Sequence, residues 1–306
     1  MMSNALWSIL SAAPGGGSGT SAPASAPAGE AVTGPAGVEQ WFASPVILAL
    51  LAVGLCVLVV WIVRRAARPS KLLLRRAPGR PNHLTVIHVI IPLVLWLLVT
   101  DGVMRLAGRK DGVPADPRAE LIGHLVSQAI WLAAALIAAA RSFRGGLRRG
   151  LGLSPRRWLW DGLRALLGYL AVLPPCLGLF LLFSHIVPLE HQHEHAMLEH
   201  LRTQSAPWKA VIVLSAVVLA PLAEEVFFRG LVQSMLRRYL RSPWTAILIA
   251  AAAFTAIHYP YVHTMPTLFV LAVALGYNYE RTGRLLAPIL IHAIFNAVNI
   301  LVLVVG

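Results

Sequence analysis

Three polar groups of residues interrupt apolar sequence in the last hundred positions, and together they have the parts of a hydrolytic site. The stretch VIVLSAVVLAPLAEEVFFRGLVQ carries Glu224, Glu225 and Arg229. Glu225 and Arg229 are four apart, so on a helix they share a face and can pair. Glu224 points about 100° away from Glu225. Its own i+4 neighbour is Phe228, which leaves its carboxylate free to face a cavity. The stretch AAAFTAIHYP brings His258, four residues after Phe254. LAPILIHAIFNAVNI brings His292 and Asn296 four apart, with Asn299 on the same face. An ionisable side chain inside an apolar span costs roughly 2.5–3.5 kcal/mol on insertion scales, so its presence there signals a functional site.

Two histidines, a free carboxylate and an amide suffice to hydrolyse an amide bond. Glu224 would act as general base on a water, with His258 holding or polarising it. His292 and Asn296 would donate hydrogen bonds to the developing oxyanion, where losing one donor typically costs about 10²–10³ in rate. Glu225 and Arg229 would orient the helix. Glu224, His258 and His292 also form a set that suits zinc with an open fourth position. There is no HExxH, however, and the ligands would come from three helices. The expected cofactor is therefore none or one divalent metal such as zinc. Taken singly, each feature has a plainer reading: a Glu–Arg pair as helix glue or a transport element, a packed histidine, an interhelical asparagine. The combination carries the hydrolytic reading.

These residues need a scaffold, and the composition names its solvent. The 306 residues are 57% hydrophobic and only 13% charged, against about 25% charged in soluble domains. A crossing helix needs about 20 mostly apolar residues. Eight runs qualify: 45–63, 84–104, 121–140, 162–187, 208–228, 244–258, 266–279 and 286–305. The sixth and seventh are short, and the fifth is expected to continue to about 236. The expected fold is all-α, a polytopic transmembrane helix bundle of about eight spans. Most spans read as free of charge, with the exceptions gathered in the C-terminal third. Pro221 is expected to kink the fifth span and free a backbone carbonyl.

The formal net charge is +13. Seven basic residues lie from Arg64 to Arg80 and six from Arg141 to Arg157, with no acid in either run. Flanked by apolar spans, these runs follow the positive-inside pattern. No nucleic-acid fold signature accompanies the charge, so nucleic acid is not an expected partner. Counted loop by loop, every second connection is basic, which sets both termini outside. Residues 1–44, rich in Ala, Gly, Pro and Ser, read as a disordered tail. Cys56 and Cys176 both fall inside spans, with no CxxC. The loop EHQHEHAMLEH carries His191, His193, His195 and His200, most simply a solvated stretch although it could bind metal. His83 and His88 read as interfacial.

EEVFFRG at 224–230 resembles the EExxxR motif of the CPBP (ABI) family, the type II CAAX prenyl endopeptidases. FTAIH at 254–258 resembles its FxxxH motif, and HAIFN at 292–296 its HxxxN motif. The similarity covers roughly 207–303, and LGLSPRRW at 151–158 looks like the basic segment that often precedes the family's domain. The resemblance implies an intramembrane endopeptidase with Glu224 as base and Glu225, Arg229, His258, His292 and Asn296 around it. It further implies a site opening toward the cytoplasm, and a membrane-associated protein or peptide substrate, with prenylated CAAX-type chains among the candidates. The lipid bilayer is the other expected partner. The Arg-, Ala- and Gly-rich composition suggests a GC-rich bacterium, hence a bacterial plasma membrane. Residues 45–204 are expected to form N-terminal transmembrane helices and 205–306 the catalytic core. Two other readings stand beside the protease: a non-enzymatic membrane immunity or scaffold protein, and a proton-coupled transporter. A transporter would favour internal repeats, and the chain has no convincing self-similarity.

Overall fold

The computed structural model describes residues 44–69, 74, 81–106, 116–188, 201, 203–240 and 242–305. Apart from one isolated bridge between Asn82 and Phe143, the regular structure among them is helical. The principal helices are α1 Pro45–Ala66, α2 Val86–Leu106, α3 Pro117–Ser142, α4 Trp158–Ile186, α5 Ala206–Tyr239, α6 Pro243–Ala256, α7 Met265–Thr282 and α8 Leu286–Val305. They fall on the eight expected spans. Helices α1 to α5 are each long and apolar enough to cross a membrane, and α6 is a shorter apolar helix. The chain is an integral membrane protein built as an all-α bundle. The expected tail at 1–44 and the histidines at 191–200 lie outside the described residues, apart from Ser44.

Local sequence sets the helix ends. Proline begins α1, α3 and α6, where its missing N–H would have had no intrahelical partner. Asp116 caps α3 by accepting from Arg118 N at 3.0 Å, and Ser242 caps α6 through Thr245 N at 3.3 Å. Gly283, at φ +62°, ends α7 in the left-handed region.

Helix α5 is central, packing against α2, α3, α6, α7 and α8. Its apolar window is 56% buried inside the bundle, against 6% for the peripheral α1. Helix α4 packs on α1, α7 and α8, so helices before residue 205 interleave with those after it. An aromatic row runs through the core. Trp96 stacks on Trp131 at 4.6 Å, Trp131 meets Phe227 at 5.0 Å, Phe227 meets Phe228 at 5.1 Å, and Phe228 meets Phe254 at 5.3 Å.

The basic connections meet at one end of the bundle. His83 N donates to Ser142 O at 2.8 Å, Asn82 Nδ2 to Ser234 O at 3.3 Å, Arg238 to Leu84 O at 2.9 Å, and Leu285 N to Leu151 O at 3.0 Å. Eight crossings require this grouping. Arg284 binds the fully buried Asp161 through Nε at 2.7 Å, joining the first turn of α4 to the connection between α7 and α8. The spans are less free of polar groups than the sequence reading has it. His124, Ser127 and Gln128 are buried within the expected third span, and buried Asp161 and Glu280 fall in α4 and α7 because these helices reach past the expected span ends.

Candidate active site

The central helix is not a uniform α-helix. It takes a π-helical course at Ser215–Leu219 and again at Val226–Gln233, a form that often accompanies functional sites. In the first segment Ala220 N–H reaches back five residues to Ser215 O. The next bond of that register would run from residue 221 to Ala216 O, but Pro221 has no N–H. Asn296 of α8 supplies the missing donor, its Nδ2 lying 2.8 Å from Ala216 O. The freed carbonyl expected near Pro221 thus exists, and a side chain from another helix takes it. In the second segment Ser234 N–H turns to Leu231 O, and the Ser234 hydroxyl takes Arg229 O at 3.0 Å.

The second π segment begins directly after Glu225. Glu225 and Arg229 are buried and joined at 2.8 Å through Arg229 NH1 and Glu225 Oε1. The other guanidinium branch donates to Ala272 O of α7 at 3.1 Å. The ring of Phe254 lies 4.8 Å from the guanidinium carbon. His292 Nδ1 sits 2.9 Å from the same Glu225 oxygen. That carboxylate oxygen accepts from Arg229, so the imidazole donates through Nδ1 and turns Nε2 away.

Glu224 stands on the other side of His292. Its Oε2 is 3.8 Å from His292 Nε2, buried, and without a hydrogen-bond partner. His258 Nδ1 is 2.8 Å from Phe254 O. A carbonyl only accepts, so this ring also donates through Nδ1 and presents Nε2 outward. Glu224, His292 and Arg229 are its ionisable neighbours. Phe254 packs among them, 4.8 Å from the His258 ring and 5.7 Å from that of His292. All six expected site residues therefore gather around α5, α6 and α8, and Asn299 lies exposed.

Two chemical consequences follow. With Nδ1 committed to Glu225, His292 donates through Nε2 only when the ring carries both protons. Asn296 has one amide N–H committed to Ala216. The metal alternative fares differently. Neutral Nε2 atoms and a carboxylate are suitable donors by type, yet among the described residues no three His, Cys, Asp or Glu side chains are placed to hold one metal ion.

A polar ladder continues from the site toward the basic end. Glu225, Arg229, Gln233 and Arg237 recur every four residues on α5, opposite Ala272, Gly276 and Glu280 on α7. Gln233 Nε2 donates to Gly276 O at 3.0 Å and Glu280 Oε2 at 3.3 Å, and Arg237 Nε to Glu280 Oε1 at 2.6 Å. Gly276 permits this approach, since a Cβ there would lie 2.9 Å from Gln233 Oε1. Gln233, Gly276 and Glu280 were not singled out from sequence, although Gln233 continues the Glu225–Arg229 spacing of four.

Residues 206–298 match the model of the family described as type II CAAX prenyl endopeptidase, Rce1-like. The chain is 33% identical over 134 residues to an uncharacterized 24.3 kDa protein of Escherichia coli, covering 43% of this chain and 59% of that protein. It is 36% identical over 90 residues to the uncharacterized protein YpbD of Bacillus subtilis (strain 168), covering 28% of this chain and 42% of that one. The matched regions thus span about half the length of these relatives. No solved structure matches the chain.

Proposed function

With residues 206–298 an Rce1-like domain, we propose that the chain is an intramembrane endopeptidase in which Glu224 activates water. The observation that carries this reading is the unpartnered Glu224 Oε2, buried 3.8 Å from His292 Nε2. That separation is too long for a hydrogen bond. It leaves room for one water to contact both groups at about 2.8 Å. Glu224 takes a proton as the water oxygen bonds to the substrate carbonyl carbon. The same proton then passes to the leaving amide nitrogen as the C–N bond breaks. His258 Nε2 helps to hold the water, and Asn296 donates its second amide N–H to the oxyanion. Glu225, braced by Arg229, orients His292. No step passes through a metal.

The substrate is the C-terminal region of a membrane-associated protein, prenylated or not. The basic end of the bundle faces the cytoplasm of a bacterial cell by the positive-inside rule, and the site opens to that side. Cleavage of prenylated and unprenylated C-terminal peptides by purified wild-type protein and by Glu224→Gln tests the reading. General-base loss lowers the rate by about 10²–10⁴, while the variant keeps its thermal stability. Equal cleavage by both removes Glu224 as the base. A non-enzymatic scaffold predicts no cleavage by either, and a transporter predicts proton flux in liposomes instead.

A further inference from the structure

Away from the catalytic set, buried polar atoms recur along α3, where it packs on α2 and on residues 215–225 of α5. Thr100 Oγ1 and Trp96 Nε1 on α2, Gln128 Oε1 and Trp131 Nε1 on α3, and Ser215 Oγ on α5 all lack a hydrogen-bond partner. Their residues are at least nine-tenths buried. Thr100 and Gln128 are brought to one level by the contacts on either side. Trp96 stacks on Trp131 at 4.6 Å. At the other side Gly123 approaches Val103 so closely that a Cβ would meet its Cγ1.

The same row runs beside the stretch of α5 that carries Glu224. Helix α3 runs parallel to α5: Leu121 and Leu125 pack around Ile212, and Trp131 packs on Phe227. Gln128 lies between those anchors, on a helix that packs against both 215–219 and 220–225. The unpartnered Oε2 of Glu224 belongs to that second stretch. Lipid offers such groups no hydrogen bonds. Buried polar atoms without protein partners are the groups that internal water satisfies.

We propose that Thr100, Gln128 and Ser215 line a water-holding seam that follows α3, with α2 on one side of it and α5 on the other, and leads to Glu224. Its use as the supply of hydrolytic water rests on the function proposed above; its hydration does not. The seam also gives α3, which lies outside the matched domain, a part in the site.

Cysteine accessibility decides the matter without an activity assay. Thr100→Cys, Gln128→Cys and Ser215→Cys are made separately in the full chain and treated in membranes with a small, charged methanethiosulfonate. Only a thiolate reacts, and thiolates form where water reaches. Wild type, with Cys56 and Cys176, gives the baseline. Ile122→Cys and Leu98→Cys, exposed on the outer surface of α3 and α2, are the lipid-facing controls. The seam cysteines should be labelled at least about tenfold faster than these controls, reflecting their thiolate fraction. Labelling of all three no faster than Ile122→Cys overturns the proposal. Ser215→Cys is nearly isosteric and keeps the test valid should Gln128→Cys fold poorly. A wet seam in a protein without peptidase activity would sink the functional reading alone, and a dry seam in an active protein would sink only the seam.

Discussion

Glu225 Oε1 holds Arg229 on one side at 2.8 Å and His292 on the other at 2.9 Å, so a single carboxylate oxygen joins two segments of the site. Glu225 and Arg229 are both essentially fully buried. Breaking a buried pair by removing one charge typically costs about 3–5 kcal/mol, because the other charge is left uncompensated. Glu225→Gln should therefore lower thermal stability in detergent by that order and also reduce cleavage. Glu224→Gln, which removes no ion pair with Arg229, should lose cleavage with little change in melting temperature. If the two variants unfold at the same temperature, the division between bracing and reacting carboxylates is wrong.

Asn296 has two possible duties that the same pair of variants separates. It ties α8 to the Ala216 carbonyl left unbonded by Pro221, and it is proposed to donate to the oxyanion. Asn296→Ala removes the tie, at about 1–3 kcal/mol for a buried acceptor left unsatisfied, and lowers turnover. Asn296→Asp goes further, since a carboxylate cannot donate to Ala216 and would face that carbonyl as a charge. The alanine variant should thus be the more stable of the two. A purely catalytic role would instead leave both melting temperatures at the wild-type value while the rate alone falls.

Much of this arrangement is written in one-dimensional spacing, and some is not. Uninterrupted apolar runs locate the eight helices, because lipid leaves a crossing backbone few alternatives to helix. The intervals 225–229, 254–258 and 292–296 place the site's side chains on helix faces before any packing is known. His124, Ser127 and Gln128 escaped notice because such polar residues in an apolar span are so often interhelical glue. Only the packing of α3 on α2 and on α5 buries them. The π segments depend on what Asn296 and Ser234 do across space, which spacing does not encode. The bond between Gln233 and Gly276 likewise needs α7 in place. Its signal was present all the same, since Gln233 and Arg237 extend the Glu225–Arg229 interval by two further steps.

Gly276 is where that ladder is most sensitive. A Cβ would stand 2.9 Å from Gln233 Oε1 and 3.1 Å from Ile247 Cγ2. Gln233 cannot swing aside freely, because its Nε2 holds both Gly276 O and Glu280. Gly276→Ala should destabilise the protein by about 1–3 kcal/mol, the usual range for overpacking. Repeating it in a Gln233→Ala background should cost measurably less, since the principal clash is gone. Residues in contact typically couple by about 0.5–3 kcal/mol in such a cycle. Additive losses would show that the strain lies against Ile247 and that the glycine does not serve the ladder.

The last test concerns the water's second partner. His258 and His292 each commit Nδ1, to Phe254 O and to Glu225, which leaves two Nε2 atoms and the Glu224 carboxylate as the only candidates for a metal within the expected set. As placed, they do not form a metal-holding group, and the positive Arg229 is braced on the neighbouring carboxylate. Cleavage should therefore persist after prolonged dialysis against a strong zinc chelator such as 1,10-phenanthroline, with the melting temperature unchanged. A bound catalytic metal predicts the opposite pair of results: activity lost on dialysis, then regained on adding about one equivalent of zinc, the stoichiometry of a three-ligand catalytic site. A metal held only when substrate closes the site would show a third pattern. There, chelator would inhibit turnover at once while leaving the free protein's melting temperature untouched, and Glu224 would then be a ligand whose replacement by Gln weakens zinc binding as well as cleavage.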